Sequence, residues 1–311
     1  MARAVRFDRY GGVDVLYIAD VDIPDPANEE LVVRVRTAGV STGEVGIRSG
    51  DMDKMFPAHF PEGQGTELAG VVHTVGPGVR DFRVGDPVIA LSDTRGAQAD
   101  YALVPEANVL AKPDSLDWDT AAAIPAAGAT ATSIMQTLQP KPHETLVVAG
   151  ASGSVGVVVV QLAVQAGARV IATASEFNHD YLRGLGAEPV AYGDGLEDRI
   201  RSAAADGVDA FADCHGAGNV DIAVALGVAA SRIDTIKDFE GAARVGAQTR
   251  GMYQLDDITA VLRPFVGRVA AGEIAIPIKA RFPLEQVQDA YRRLTEPGGI
   301  GKVVLTVSTE E

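Results

Sequence analysis

Glu144-Thr-Leu-Val-Val-Ala-Gly-Ala-Ser-Gly-Ser-Val-Gly156 is an apolar run that breaks into closely spaced glycines and small residues, and its reading decides the fold. The run predicts a buried strand, a tight turn and the start of a helix over 157–168. Ala151, Gly153 and Gly156 stand in an A-x-G-x-x-G spacing, so the backbone N–H groups of Ala151, Ser152, Gly153, Ser154, Val155 and Gly156 can approach a dinucleotide pyrophosphate with no side chain between. Residues 169–173, Arg-Val-Ile-Ala-Thr, supply a second strand ending at Ser175. An ordinary strand-to-helix turn is the alternative, and the surrounding βαβ pattern favours dinucleotide binding.

Val157 to Val160 are four β-branched residues in a row where the pattern requires a helix, against their propensity. Burial can override that preference. Gln161 and Gln165, four apart, and the Gly167-Ala168 stop fit a helix of about three turns on a sheet. A continued strand would need more than about 20 residues, far above ordinary strand lengths.

Outward from this unit, composition bounds the rest. A chain of 311 residues, 47% hydrophobic and 22% charged, can build two domains with substantial cores. No basic N-terminal segment precedes an apolar run and no stretch has transmembrane length, so a soluble, cytoplasmic protein without a membrane partner is expected. The single cysteine, Cys214, excludes internal disulfides and a cysteine-rich zinc lobe. A net charge of −15 repels nucleic acid phosphates, and no nucleic acid partner is expected.

The character of the chain changes near residue 115. Before it, short alternating runs at 31–38, 67–75, 87–91 and 101–105 predict an irregular β domain. After it, strands at 145–150, 169–174, 188–192, 210–214, 231–236 and 244–249 alternate with helical segments, which predicts a doubly wound parallel sheet with right-handed crossovers. A helix over 255–272, a strand over 276–282, a helix over 284–294 and a strand over 302–307 close the chain.

These residues resemble the medium-chain dehydrogenases/reductases, and within them the zinc-free quinone oxidoreductases. The resemblance is carried by Ala38-Gly-Val-Ser41, Gly65-Thr-Glu-Leu-Ala-Gly70, Gly78-Val-x4-Val-Gly-Asp-x-Val88, Ala122-Ala-Ile-Pro125 with Gly128-Ala-Thr130, the turn at 149–156, and Gly301-Lys-Val-Val-Leu305. It implies an α/β protein with a GroES-like β-barrel domain over 1–118 and 262–311 and a Rossmann domain over 119–261, the active site lying between them. It also implies a homodimer in which edge strands near 243–251 pair across a two-fold axis.

In zinc-dependent relatives the segments matching Gly39-Val-Ser41 and Gly65-Thr-Glu67 carry metal-ligating cysteine and histidine. Here the positions hold Ser41 and Thr66, neither a competent zinc ligand at neutral pH, and the five histidines show no short ligand spacing. The expectation is therefore NADPH-dependent reduction of a quinone or similar conjugated carbonyl without zinc, since conjugation already spreads the charge a metal would stabilise. Reduction of an enone or enoyl thioester is an alternative activity. A non-catalytic NADPH-binding role, of the structural or RNA-binding kind found among quinone-reductase-like crystallins, is an alternative of another class.

Ser41 matches a substrate-side polar position, with a barrel turn residue as the other reading. Glu67 points toward the former zinc pocket or holds a loop by accepting backbone N–H bonds. Thr130 matches a cofactor contact, with a helix-capping hydroxyl as its alternative. Lys302 is grouped with the cofactor contacts. A tyrosine that follows the motif matching Arg48-Ser-Gly50 in several relatives is absent here, so no proton donor is assigned. An acid at the end of the second strand would bind a ribose 2′-hydroxyl and repel a 2′-phosphate; Ser175 stands there instead, with Arg183 and Tyr192 downstream, and NADPH is expected. Glu176, adjacent, argues the other way.

Overall fold

A computed structural model describes residues 1–308, so the last three residues of the expected 262–311 segment lie outside the described residues. The Thr145–Ala149 strand is buried along its whole length at the centre of a five-stranded parallel sheet. Its neighbours are Arg169–Ala174 and then Glu188–Ala191 on one side, and Ala210–Asp213 and then Ile233–Thr235 on the other. The order reverses direction beside Thr145–Ala149, which puts the glycine turn at the switch point where α/β sheets open a crevice.

The four valines are helical. They lie inside the helix Gly156–Gln165, each fully buried between the sheet and the helix Trp118–Leu138. Burying a valine contributes about 1.5–3 kcal/mol, several times its unfavourable helix propensity of at most about 0.7 kcal/mol. The two glutamines serve distant chain rather than each other. Gln161 exchanges hydrogen bonds of 2.8 Å with the Ala275 backbone, and Gln165 Nε2 donates to the Glu273 carbonyl at 2.8 Å.

The β domain is built on the long strand Glu30–Val40, which pairs with Glu67–Val75, Tyr101–Pro105 and the closing strand Lys302–Thr306. Pro87–Leu91, Val109–Ala111 and Ile278–Pro283 extend this sheet, and a small sheet of Tyr17–Val21, Ala2–Phe7 and Glu62–Gly63 lies apart from it. The expected boundaries at 118/119 and 261/262 fall inside the helices Trp118–Leu138 and Ile258–Ala270. Both helices enter one apolar cluster that runs from Ala69, Ile89 and Leu110 of the barrel to Leu146 and Val148 of the parallel sheet. Among the described residues no helix is long and apolar enough to cross a membrane.

One expected strand is absent. Within 243–251, residues up to Val245 belong to the helix Phe239–Val245, which Asp238 caps by accepting the Gly241 N–H at 2.8 Å and left-handed Gly246 ends. Beyond it only Gln248 forms a single parallel bridge to Asp234. The capping aspartate and the terminal glycine outweigh a weak strand pattern, and the homodimer expected through that strand has no such strand to form on.

Asp234 secures this edge, since its Oδ1 accepts the Arg250 N–H at 2.8 Å while its Oδ2, fully buried, has no hydrogen-bond partner. Burial pushes its carboxyl up to about 6. The folded protein thus holds this proton at pH values where the unfolded chain, with an ordinary aspartate near 3.9, has released it, so stability falls as pH rises from about 4 through 6. Asp234→Asn keeps the acceptor for Arg250 without the buried charge. It should gain on the order of 2–3 kcal/mol at pH 7.5, seen as a higher thermal midpoint, and no advantage at pH 4.

Candidate active site

The turn after the central strand forms one wall of a groove of about 270 Å³. Gly150 adopts a left-handed backbone with φ 73°, and its N–H donates to Thr173 Oγ1 at 3.2 Å. A Cβ on Gly156 would overlap the Gly150 carbonyl, so that glycine is required by the turn itself. Gly153, whose φ is not positive, faces the groove with Ser152, Ser154, Val155 and Gly156, and a Cβ there would meet only the Gly150 carbonyl, at 3.3 Å. These glycines leave a cradle that a side chain would fill, which is the shape a pyrophosphate needs against a helix N-terminus. Ala151 is buried behind the cradle, where its N–H donates to the Thr173 carbonyl at 3.1 Å, and it does not line the groove.

At the far end of the groove stand Ser175, Asn178 and Tyr192. The Arg199 guanidinium fixes the Tyr192 loop by donating to the carbonyls of Ala191, Tyr192, Gly193 and Asp194. One expectation changes here. Arg183 is exposed, paired with Asp180 at 2.7 Å on its own helix, and lies outside the groove. The cation that lines it is Lys279, from the barrel domain, which donates to the Glu296 carbonyl at 2.7 Å; Arg293, whose Nη2 donates to the Gly298 carbonyl at 2.9 Å, braces the same loop. Asn178 Nδ2 joins the two domains by donating to the Gly299 carbonyl at 3.3 Å. Glu176 lines a separate surface hollow, away from the groove.

A second cavity of about 530 Å³ adjoins the groove, and Thr42, Ser154, Val155 and Ile236 line both. Its wall is largely apolar, with Ile47, Met52, Met55 and Phe56 from the barrel domain facing Phe239, Met252 and Tyr253 from the other. The Phe56 and Tyr253 rings meet across the cleft with centroids 5.0 Å apart. Ser41 lines this cavity as the N-cap of the helix Thr42–Ser49. Thr130 lines it too, and its position in the middle of Trp118–Leu138 excludes the capping role.

Glu67 and Lys302 are both buried and form an ion pair. Glu67 does not reach the cavity: it also accepts the N–H of Ala126 at 2.9 Å, one residue after Pro125 in the helix Trp118–Leu138. Lys302, expected among the cofactor contacts, lines the second cavity and not the groove.

Glu44, which sequence reading passed over, organises the cavity floor. It accepts from the Ser41 and Thr66 N–H groups at 2.9 and 3.0 Å and from the Tyr291 hydroxyl at 2.6 Å. Burial raises its carboxyl above the usual range. The S-x-x-E spacing of Ser41 to Glu44 is the signal that could have revealed it. Among the described residues no group of three or more His, Cys, Asp or Glu is placed to hold a metal.

A glycine cradle at the switch point of a parallel sheet, roofed by a barrel domain with an apolar cleft beside it, defines a two-domain nicotinamide-dependent oxidoreductase. Sequence comparison agrees: the alcohol dehydrogenase GroES-like domain matches residues 27–114, and the zinc-binding dehydrogenase family matches residues 185–305. The chain belongs to the medium-chain dehydrogenase/reductase family. It is 28% identical to the quinone oxidoreductase of Rattus norvegicus over 98% of both chains. It is 33% identical to a chloroplastic quinone-oxidoreductase homolog of Spinacia oleracea over 61% of this chain, a match that spans 60% of that protein. A mycobacterial structure complexed with NADPH superposes with a TM-score of 0.87 at 25% identity, covering 99% of this chain and 100% of that one.

The buried pair yields a test that separates its structural role from a cofactor role. Lys302→Met leaves Glu67 charged and alone in the interior and should cost about 3–5 kcal/mol, read from urea unfolding. Adding Glu67→Gln removes the orphaned charge while keeping an acceptor for Ala126, and should recover most of the loss. A Lys302→Met protein of unchanged stability would show that the pair is not a fastener.

Proposed function

We propose that this protein reduces a quinone or a similar conjugated carbonyl with NADPH, by hydride transfer without zinc. The observation that carries the reading is the seam at Thr42, Ser154, Val155 and Ile236, where the dinucleotide groove opens directly into a cleft walled by methionine and aromatic side chains. When bound, the cofactor supplies a hydride at its nicotinamide ring. The protein's own part is to hold pyrophosphate at 152–156, to exclude water with Met52, Met55, Phe56 and Tyr253, and to lay a flat acceptor against the seam.

Zinc independence is supported by Ser41 and Thr66, which stand where relatives place ligands and whose backbone N–H groups both donate to Glu44. The Ser41 and Thr130 hydroxyls are the polar groups available to orient an acceptor carbonyl. Asp51, Asp238 and Glu240 line the same cleft, an acidic setting that disfavours a thioester substrate bearing phosphate groups.

NADPH is favoured over NADH because Ser175 and Lys279 line the ribose end of the groove while Glu176 does not. The folded protein should therefore gain more thermal stability from NADPH than from NADH at equal concentration, and a tenfold affinity difference corresponds to about 1.4 kcal/mol. Ser175→Asp should reverse the order by binding the 2′-hydroxyl and repelling the 2′-phosphate. An equal response of the wild type to both cofactors would refute the preference.

A further inference from the structure

Two lysines belong to the wall of the substrate cleft, and their situations differ. Lys302 is committed to Glu67. Lys237 is not: among the described residues no group forms an ion pair with, or accepts a hydrogen bond from, its ammonium. It follows Ile236, which lines both the cleft and the cofactor groove, so it stands at the seam where an acceptor would meet the hydride donor.

Its backbone is fixed from below. Thr235 Oγ1 accepts the Lys237 N–H at 3.1 Å and donates to Asp213 Oδ2 at 2.7 Å. Asp213, fully buried, also accepts the His215 and Gly216 N–H groups and Asn219 Nδ2, and this knot at the end of the Ala210–Asp213 strand sets where the lysine begins. The ionisable groups around it are Asp213 and Cys214 from that strand end, Asp238 and Glu240 from the next helix, and Glu44, Asp51, Tyr253 and Lys302 from the rest of the wall. Several are already engaged: Asp213 as described, Asp238 in capping Gly241, Glu44 with Tyr291. Burial pushes the Cys214 thiol up, leaving it uncharged. Desolvation outweighs the remaining attraction and lowers the ammonium below the ordinary lysine range, which makes it a readier acid.

We propose that Lys237 is the proton donor to the oxygen of the reduced acceptor, an inference that rests on the reductase reading above. The acceptor gains two electrons and one hydrogen as hydride from the dihydronicotinamide; its oxygen then takes a proton from Lys237 Nζ, one O–H bond forming as one N–H bond breaks. The amine regains a proton from water, and quinone, NADPH and H⁺ balance to hydroquinone and NADP⁺.

The test compares wild type, Lys237→Met and Lys237→Arg with a benzoquinone acceptor across pH, with NADPH affinity measured separately by fluorescence. Lys237→Met should lose about a hundredfold in kcat, the low end for a general acid, and should lose the alkaline limb of the wild-type profile, at unchanged NADPH affinity. Arginine keeps the charge without a releasable proton, so Lys237→Arg should recover part of the rate but not the limb. In parallel, acylation of Lys237, followed by peptide mass, should begin at a lower pH than that of surface lysines and be blocked by a non-reducible phenol. A methionine variant within threefold of wild type with the same limb, or labelling that the phenol leaves untouched, overturns the proposal. A wild type that reduces no quinone or enone while the phenol still protects Lys237 overturns the reductase reading instead.

Discussion

A carboxylate with no access to water anchors this molecule. Glu67 sits on the barrel strand Glu67–Val75, and its two oxygens are taken by Lys302 from the closing strand and by the Ala126 amide of the helix Trp118–Leu138. An unpaired charge in such a place would cost several kcal/mol, so the three elements must come together or the fold loses more than it gains. Gly39 belongs to the same constraint, because a Cβ there would stand 2.5 Å from Glu67 Cγ. Pro125 stands beside it, its missing N–H interrupting the helical ladder one residue before the Ala126 amide that the carboxylate binds. Ala126 and Thr130, which project from that helix into the cleft wall, inherit their positions from the clamp.

The barrel side of the cleft depends on a second buried acid. Glu44 gathers Ser41, Thr66 and Tyr291, and Tyr291 in turn lies under the Arg48 guanidinium, 4.5 Å from ring centroid to Cζ. The region around Ser41 and Thr66 is filled by a self-contained set of carboxylates, hydroxyls and amides. Its hydrogen-bonding capacity is largely spent internally, which leaves the apolar wall and a few hydroxyls to meet a substrate.

Local signals made the frame legible in the sequence. The glycine spacing at 151–156, the alternation of strands and helices and the alternating barrel runs are all short-range patterns, and the strands they predict, apart from the one at 244–249, fall within a few residues of their expected places. Side-chain partners were not legible, because they are set by contacts far apart in the chain. Nothing near Lys302 signals that it will meet Glu67, 235 positions away, rather than a cofactor. Nothing near Lys279 signals that the barrel domain will supply the lysine that lines the groove while Arg183 turns outward to Asp180. The strand expected at 243–251 failed for the opposite reason: its own caps, Asp238 and Gly246, were local and went unread.

The glycine cradle and the apolar cleft meet at Thr42, Ser154, Val155 and Ile236, and the proposed hydride transfer needs them to work as one continuous site. Anaerobic stopped-flow mixing of the NADPH-loaded protein with a quinone, in the presence of chelator, tests it most directly. The reduced-nicotinamide absorbance should decay at a rate the chelator does not alter, and Gly153→Val, which puts a branched side chain in the pyrophosphate path, should abolish the decay in a protein that remains folded. Decay that requires added zinc, or that survives Gly153→Val unchanged, would contradict the account.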